Sequence, residues 1–430
     1  MSNAANGELV WSRTGGQIRL GVHGGFALRR QSVGTGGALT VAVSNVQVPW
    51  WGAVPENVVY RHPVELRKQG EQVVAGSVFA ILAGSHRKPF HGNRAEYRDL
   101  LRAARRERKF VYVLPAARVT EDTWWRGYVR IGTGKWIALP CPYPQAVYNR
   151  IPTRFLERLP VVGTARARFQ SLGIPMFNPS YFNKAELYQA IAASRASRYL
   201  PDTVTSLDMA RLRGLLSRHR GVYLKPSGGS VGHGMMLAER TVEGYRLSVM
   251  KGSVCQSYPS NRFEGLWADI MRQRLGGNYV LQAAVPLIEW NESPCDFRVL
   301  LQKHVGRWSV TGVGVRVAGK GVITTHVPNG GYIMAADPVI QKWFGTRSAM
   351  VERSLEEAAV ELAHTVDRQY SGALGEMSID IGIDRQGDIW FFEANAKPMK
   401  FDEPDIRQRA LQGVLEHLEE LRVHSPVEIV

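Results

Sequence analysis

Cysteine is scarce in this chain: Cys141, Cys255 and Cys295 are the only three in 430 residues, far apart and odd in number. That excludes a disulfide framework and leaves no spacing for a cysteine-based zinc site, so the three are read as packing residues. No run of about 18 or more apolar residues occurs, and no membrane span is expected. The opening residues, Met1 to Glu8, have neither the basic nor the apolar region of a secretion signal, so the expected location is cytoplasmic. Acidic residues are the minority among charges, 38 Asp and Glu against 54 Lys and Arg, for a formal net charge of +16. An excess of that size favours an anionic partner such as a nucleotide, an acidic peptide or polymer, or an anionic surface. The basic residues are scattered and no nucleic-acid module is recognisable, so no specific nucleic-acid partner is expected. One dense cluster, Arg102-Ala103-Ala104-Arg105-Arg106-Glu107-Arg108-Lys109, falls in a predicted helix and reads as a solvated face. A Walker A sequence, a dinucleotide fingerprint, internal repeats and any Ser/His/Asp or Cys/His arrangement are missing too.

What remains is an ordinary globular composition, 44% apolar and 21% charged, long enough for two or three domains. Residues 1–70 are glycine-rich with short alternating pieces and are expected to form a small β-rich module. Its Trp50-Trp51 pair reads either as an exposed contact surface or as part of a mini-core. Residues 71–178 alternate strand and helix: apolar strands at Val78–Ala83 and Phe110–Leu114, an Asn93-capped helix between them, a hairpin over 124–139 and a helix between Thr153 and Leu172. That pattern predicts a small α/β domain. Residues 179–425 are expected to form a further domain that carries the chemistry.

In that third part, helices are predicted from Asn183 and over Met209–Arg218. A strand then delivers Lys225 at its end, followed by Ser227-Gly228-Gly229-Ser230-Val231-Gly232-His233-Gly234. Glycines let a backbone approach polyphosphate and turn its N–H groups inward, but a hairpin loop with a chance lysine explains the run equally well. Gln282-Ala283-Ala284-Val285 ends an apolar strand against which a nucleobase can lie. Asp296 and Arg298 share one strand face and Arg316 can join them from the next strand; a surface ion pair is the simpler reading. Helix Val351–Gln369 shows a core stripe of Leu355, Ala359, Leu362 and Val366.

The chain converges on its last hairpin, Gly375 to Asp384, a turn, then Ile389 to Asn395. Glu393 and Asn395 are two apart on one strand, and pairing can bring Asp380 opposite them. Hard oxygen donors of that number suit Mg²⁺, which fills its other positions with water and phosphate oxygens.

Taken together, the strand-end lysine, the glycine loop, the Gln-led linker, the Asp-x-Arg strand, the second strand arginine and Asp380 with Glu393-Ala394-Asn395 resemble the ATP-grasp superfamily. More narrowly, Val147-Tyr148-Asn149-Arg150-Ile151-Pro152, Phe177-Asn178-Pro179, Phe182-Asn183-Lys184, Leu200-Pro201-Asp202-Thr203 and Leu224-Lys225-Pro226 resemble the YheC/YheD family associated with endospore coats. The resemblance covers roughly residues 75–420. It implies an ATP-grasp fold, mixed α/β and α+β, preceded by a pre-ATP-grasp α/β domain and the β-rich module. It also implies a Mg-ATP-dependent ligase that activates a carboxylate as an acyl phosphate for attack by an amine. By matching motif, Lys184, Lys225, Ser227, Gly228, Gly229, Ser230 and Gly232 would meet the phosphates, the glycine loop closing as a lid. Gln282, Ala283, Ala284 and Val285 would meet the adenine, and Asp380, Glu393 and Asn395 the Mg²⁺. Arg298 and Arg316 would face the acyl phosphate. His326 and His233 depart from the family pattern and bear on the acceptor site. Spore coat proteins are the implied partners, and the mother cell or coat the implied location. Two alternatives stand beside the ligase, a phosphoryl transferase on the same fold and a noncatalytic ATP-binding coat scaffold.

Overall fold

In the computed structural model, residues 4–25, 28, 39–85, 89–227, 234–252, 254–325 and 330–424 are described. They fall into two compact units, Met1–Ser180 with Arg409–Val430, and Tyr181–Gln408.

The first unit begins with a closed six-stranded barrel made by Ala4–Thr14, Gln17–Gly24, Thr40–Val43, Val46–Trp51, Val58–Gln69 and Gln72–Ala75. Alternation fills it: Leu9 and Trp11, Leu20 and Val22, and Val64 and Leu66 point into one core. Val46, Val48 and Trp50 alternate inward in the same way, leaving Trp50 4% exposed, with its Nε1 donating to the Gly24 carbonyl at 2.9 Å. The tryptophan pair is therefore not an exposed contact surface. A Cβ on Gly21 would lie 2.6 Å from the Trp51 ring, so glycine is what lets that ring lie flat on the strand.

A six-stranded sheet follows, ordered Trp136–Cys141, Trp125–Arg130, Phe110–Pro115, Val78–Ala83, Ala146–Asn149 and Met176–Phe177. Its two central strands are parallel and buried at every position, as continuous apolar runs covered on both faces should be. Helix Arg94–Arg106 crosses between them, with the Asn93 side chain accepting from the Glu96 amide. The single helix expected between Thr153 and Leu172 is two, Arg154–Glu157 and Pro160–Ser171. Pro160 cannot donate to the preceding turn and instead starts the second helix, where a missing N–H costs nothing.

The second unit holds two sheets. The first, here the lysine sheet, is ordered Thr203–Val204, Tyr279–Ala283, Gly221–Pro226, Met236–Thr241, Gly244–Lys251 and Val254–Ser260. Helices Met209–Arg218 and Phe263–Gln273 pack Leu212, Leu216, Leu266 and Ile270 against it. The second, the acid sheet, is ordered Tyr332–Ala335, Arg307–Val317, Ser293–His304, Glu376–Ile383 and Ile389–Asn395. Phe297, Val299, Val315, Val317, Ile379 and Ile381 face helix Ser348–Arg368, whose stripe of Leu355, Ala359, Leu362 and Val366 is buried as the sequence predicts. Asp296, Arg298, Arg316, Ser378 and Asp380 therefore share the opposite face.

The hairpin closing this sheet is built on Asp384. One of its oxygens accepts the backbone N–H of Gln386, Gly387 and Asp388 at 2.9 to 3.0 Å, and the other accepts Trp390 Nε1 at 2.9 Å. Asp384→Ala would strand these donors in a site where Asp384 is only 5% exposed. A loss of roughly 1–3 kcal/mol is expected on urea unfolding.

Candidate functional site

The acid sheet presents its polar face as registered rows. Arg298 stands opposite Asp380 on one side and Gly314 on the other, Asp296 stands opposite Arg316, Asp380 opposite Glu393, and Ser378 opposite Asn395. A bulge between Asp380 and Ile381, with Phe392 as the extra residue on the partner strand, makes this possible. Strict alternation would put Phe391 and Glu393 on one face; the extra residue lets Phe391 enter the core while Glu393 and Asn395 join the polar face.

Charge is concentrated there. Arg298 is bidentate on Asp380, Nε to Oδ1 at 2.9 Å and Nη2 to Oδ2 at 3.0 Å. Arg316 reaches the same carboxylate at 2.9 Å and is bidentate on Asp296 at 2.7 and 2.5 Å. The Thr325 hydroxyl adds a hydrogen bond to Asp296 at 2.6 Å. The sequence reading of Asp296 with Arg298 as a surface ion pair is thus corrected: each pairs with a residue on a neighbouring strand, and Asp296 and Arg316 are buried. Burial opposes the charge on Arg316, but Asp296 and Asp380 outweigh it and hold the guanidinium above the ordinary arginine range.

Two lysines meet the acids. Lys184, in the first turn of the Asn183-capped helix Lys184–Ala192, lies 3.3 Å from Glu393. Lys225, at the end of its strand in the lysine sheet, is 8% exposed, donates to the Gln282 side-chain oxygen and stands 5.4 Å from the centre of the Phe392 ring. Gln282 is fixed in turn by its amide donating to the Thr203 hydroxyl at 3.2 Å. Burial, then the nearby charge of Lys184, pushes Lys225 down to about 8, with Glu393, Asp380 and Asp296 acting the other way. The Tyr188 hydroxyl donates to the Phe392 carbonyl, and burial followed by the charge of Glu393 raises its pKa, so it stays a proton donor.

The depressed Lys225 yields a pH signature. Its folded pKa lies below the ordinary lysine value, so between about 8 and 10.5 the unfolded chain holds the extra proton, and stability from this group rises with pH across that window. Binding a polyphosphate would recharge the amine. Calorimetry of ATP binding at pH 8.5 in buffers of different ionisation enthalpy is expected to show proton uptake, absent in Lys225→Arg; Lys225→Ala should weaken binding.

Other candidates are placed less fully. The Ser227 hydroxyl is buried without a partner just past Lys225. Gly228, Gly229, Ser230, Gly232, His233 and His326 lie outside the described residues. In the linker, Ala283 N–H donates to the Asp202 carbonyl and Ala284 N–H to the Gly221 carbonyl, both at 2.9 Å, so those amides serve the sheet. Sequence reading missed Glu403, whose two oxygens are buried without a partner. One of them stands 2.9 Å from where a Cβ on Gly314 would be, beside the Arg298 row. Following an ordinary Phe401-Asp402 and preceding a helix, it looks like a first-turn acid, and nothing in spacing singles it out. Ser378, 1% exposed with an unpartnered hydroxyl, is equally silent in sequence.

Among the described residues no group of three or more His, Cys, Asp or Glu is arranged to hold a metal. The set at hand is two carboxylates and an amide, Asp380, Glu393 and Asn395. With so few protein oxygens, most positions of an ion are left to water and phosphate, which is the Mg²⁺ pattern rather than a Zn²⁺ or Ca²⁺ one. A wide groove of about 1740 Å³ lies elsewhere, lined by residues such as Arg198, Glu361 and His364. None of the residues above opens into it, so volume does not locate the chemistry. No helix among the described residues is long and apolar enough to cross a membrane.

The family described as YheC/D like ATP-grasp matches residues 173–420. The endospore coat-associated protein YheD of Bacillus subtilis is 30% identical over 273 residues, 62% of this chain and 59% of that protein. YheC of the same organism is 22% identical over 203 residues, 46% of this chain and 55% of that protein. The chain thus spans less than two thirds of the length of either relative. Among solved structures, D-alanyl-alanine synthetase A from Vibrio cholerae superposes with a TM-score of 0.50 at 12% identity, over 81% of this chain and 99% of that one, a likeness of fold.

Proposed function

We propose, from the premise that this chain belongs to the YheC/D like ATP-grasp family, that it is a Mg-ATP-dependent ligase joining a carboxylate to an amine. The observation that supports this best is the meeting of Lys184 and Lys225 with Asp380 and Glu393 inside one unit, cations and hard oxygen ligands in one place. A carboxylate is a poor electrophile until the γ-phosphoryl group of ATP is transferred to it. The mixed anhydride so formed is open to attack by an amine, with phosphate leaving. Both steps gather negative charge on oxygen, and prepositioned cations lower such barriers most.

In this reading Lys184 and Lys225 hold the phosphates, Ser227 offers its unpartnered hydroxyl to them, and Gly228, Gly229, Ser230 and Gly232 close over them. Gln282 and the linker to Val285 bound the adenine. Asp380, Glu393 and Asn395 would hold Mg²⁺, which when bound neutralises and aligns the phosphates. Arg298 and Arg316, held in place by Asp380 and Asp296, face the acyl phosphate. Glu403, with no cation of its own among the described residues, supplies the countercharge for an incoming ammonium beside Arg298. The relatives' names suggest a role in the endospore coat, and the net charge of +16 suits an acidic peptide or polymer as one substrate.

The test is ADP release with panels of amino acids and acidic peptides, followed by mass spectrometry of the products. An amide is expected. A phosphorylated hydroxyl product would identify a phosphoryl transferase, and no ADP release under any combination would favour a scaffold.

A further inference from the structure

The basic cluster that sequence alone reads as a solvated face borders a cleft in the first unit. Helix Arg94–Arg106 carries Arg98, Arg102 and Arg105 at spacings of four and three, hence on one face over about two turns. Arg61 on the barrel strand Val58–Gln69 and Arg130 on the strand Trp125–Arg130 turn to the same cleft, of about 550 Å³. Five guanidinium groups thus line one concavity.

Their compensation is incomplete. Arg61 pairs with Glu8, and Arg98 with Asp99 at 3.0 Å. Among the described residues no carboxylate stands within ion-pair distance of Arg102, Arg105 or Arg130. Arg105 is nevertheless held in place, donating to the Arg61 carbonyl at 2.8 Å and lying against Tyr60. The Tyr60 hydroxyl is oriented by His62, 3.2 Å away, whose other ring nitrogen meets the Lys109 carbonyl at 2.9 Å. That nitrogen must donate to the carbonyl, so Tyr60 donates to His62 and turns its lone pairs elsewhere. Burial first, and Arg105 second, push His62 down to about 3, so the imidazole is neutral and adds no competing charge. Arg105 is therefore oriented by neutral acceptors while its charge is left for something else.

The rest of the wall is aliphatic: Val58, Val59, Leu101 and Ile131 are half-buried there. A free phosphate would have no use for such a wall. A nucleic acid would ask for exposed aromatic platforms, and the two rings in the lining, Tyr60 and His62, are engaged with each other. An extended peptide alternating carboxylate and aliphatic side chains matches both components. Its like-facing residues repeat about every 6–7 Å, so two or three carboxylates span the roughly 10 Å between Arg98 and Arg105.

We propose that this cleft is a docking site for a short acidic-aliphatic segment of a partner polypeptide, bound through Arg102, Arg105 and Arg130 and carried by a different unit from Lys225 and Asp380. It gives part of the +16 net charge a specific purpose. The site lies outside the residues matched to the family, so its success or failure is independent of the ligase reading.

Fluorescence anisotropy of the full chain with a labelled peptide of alternating glutamate and valine tests it. Expected are saturable binding, loss of at least tenfold in affinity in the double variant Arg102→Glu with Arg130→Glu, and loss of binding when glutamine replaces glutamate in the peptide. The exposed pair Arg220→Glu with Arg353→Glu, carried by the other unit, changes net charge equally and should keep affinity within twofold. Equal loss in that pair, or equally tight binding of inorganic phosphate or a single-stranded oligonucleotide, would overturn the proposal by making the attraction one of overall charge. Circular dichroism of both pairs separates lost binding from lost fold.

Discussion

Replacing Glu393 by glutamine is expected to lower Mg-ATP-dependent turnover by roughly 10³-fold, the scale on which a prepositioned electrostatic contact acts in a transition state. The substitution preserves shape and removes one formal charge. Two of its consequences are separable. The ion pair with Lys184 joins groups whose side chains are only 19% and 9% exposed, so its loss should cost more than a surface pair, roughly 1–3 kcal/mol. Turnover should instead fall because a metal ligand has become a weaker, neutral donor. Steady-state kinetics over a range of Mg²⁺ concentrations checks this: part of the lost rate should return at high Mg²⁺ if Glu393 binds the ion, and none if it serves only Lys184. Unchanged turnover would count against the metal assignment.

The largest effect on stability is expected at the neighbouring position. Asp380 is 2% exposed and accepts hydrogen bonds from both Arg298 and Arg316. Asp380→Ala leaves two guanidinium groups facing one another over an apolar methyl, with Asp296 still paired to Arg316. Breaking a buried pair from one side costs about 3–5 kcal/mol. For a unit of this size that corresponds to a fall in melting midpoint of roughly 6–20 °C. Differential scanning calorimetry reads it directly, and Asp380→Asn, which retains acceptor capacity, should lie between wild type and alanine. A midpoint unchanged in Asp380→Ala would mean that the arginines find other partners and that the polar face is not a coupled network.

The two predictions also mark where sequence was informative. Helix caps at Asn93 and Asn183, the strand carrying Lys225, the Asp296/Arg298 strand and the closing hairpin are legible because each is local: a cap, an alternation or a turn residue within a few positions. The pairing of the two hairpin strands is legible for the same reason, but the five-residue turn alone would set Asp380 opposite Phe392, and it is the bulge that brings Glu393 opposite it. Partner choice among charges is not local. Asp296 and Arg298 are two apart, yet each is satisfied from another strand, because cross-strand neighbours approach more closely than residues two apart along one strand. The bulge at Phe392 is invisible in an alternating run, although it decides which face Glu393 occupies. Barrel closure escapes too: glycine-rich alternation announces strands, but whether six of them close depends on registry between segments far apart in the chain. Glu403 needs the path of the backbone after Asn395, which no pattern encodes.

In the proposed Mg-nucleotide site, oxygens from two late strands meet two lysines from a helix and the lysine sheet. A crystal structure with Mg²⁺ and a nonhydrolysable ATP analogue tests it most directly. The expected result is a metal about 2.0–2.1 Å from oxygens of Asp380, Glu393 and Asn395, with the phosphates held by Lys184 and Lys225. A nucleotide bound away from these residues, or a metal coordinated without them, would contradict it.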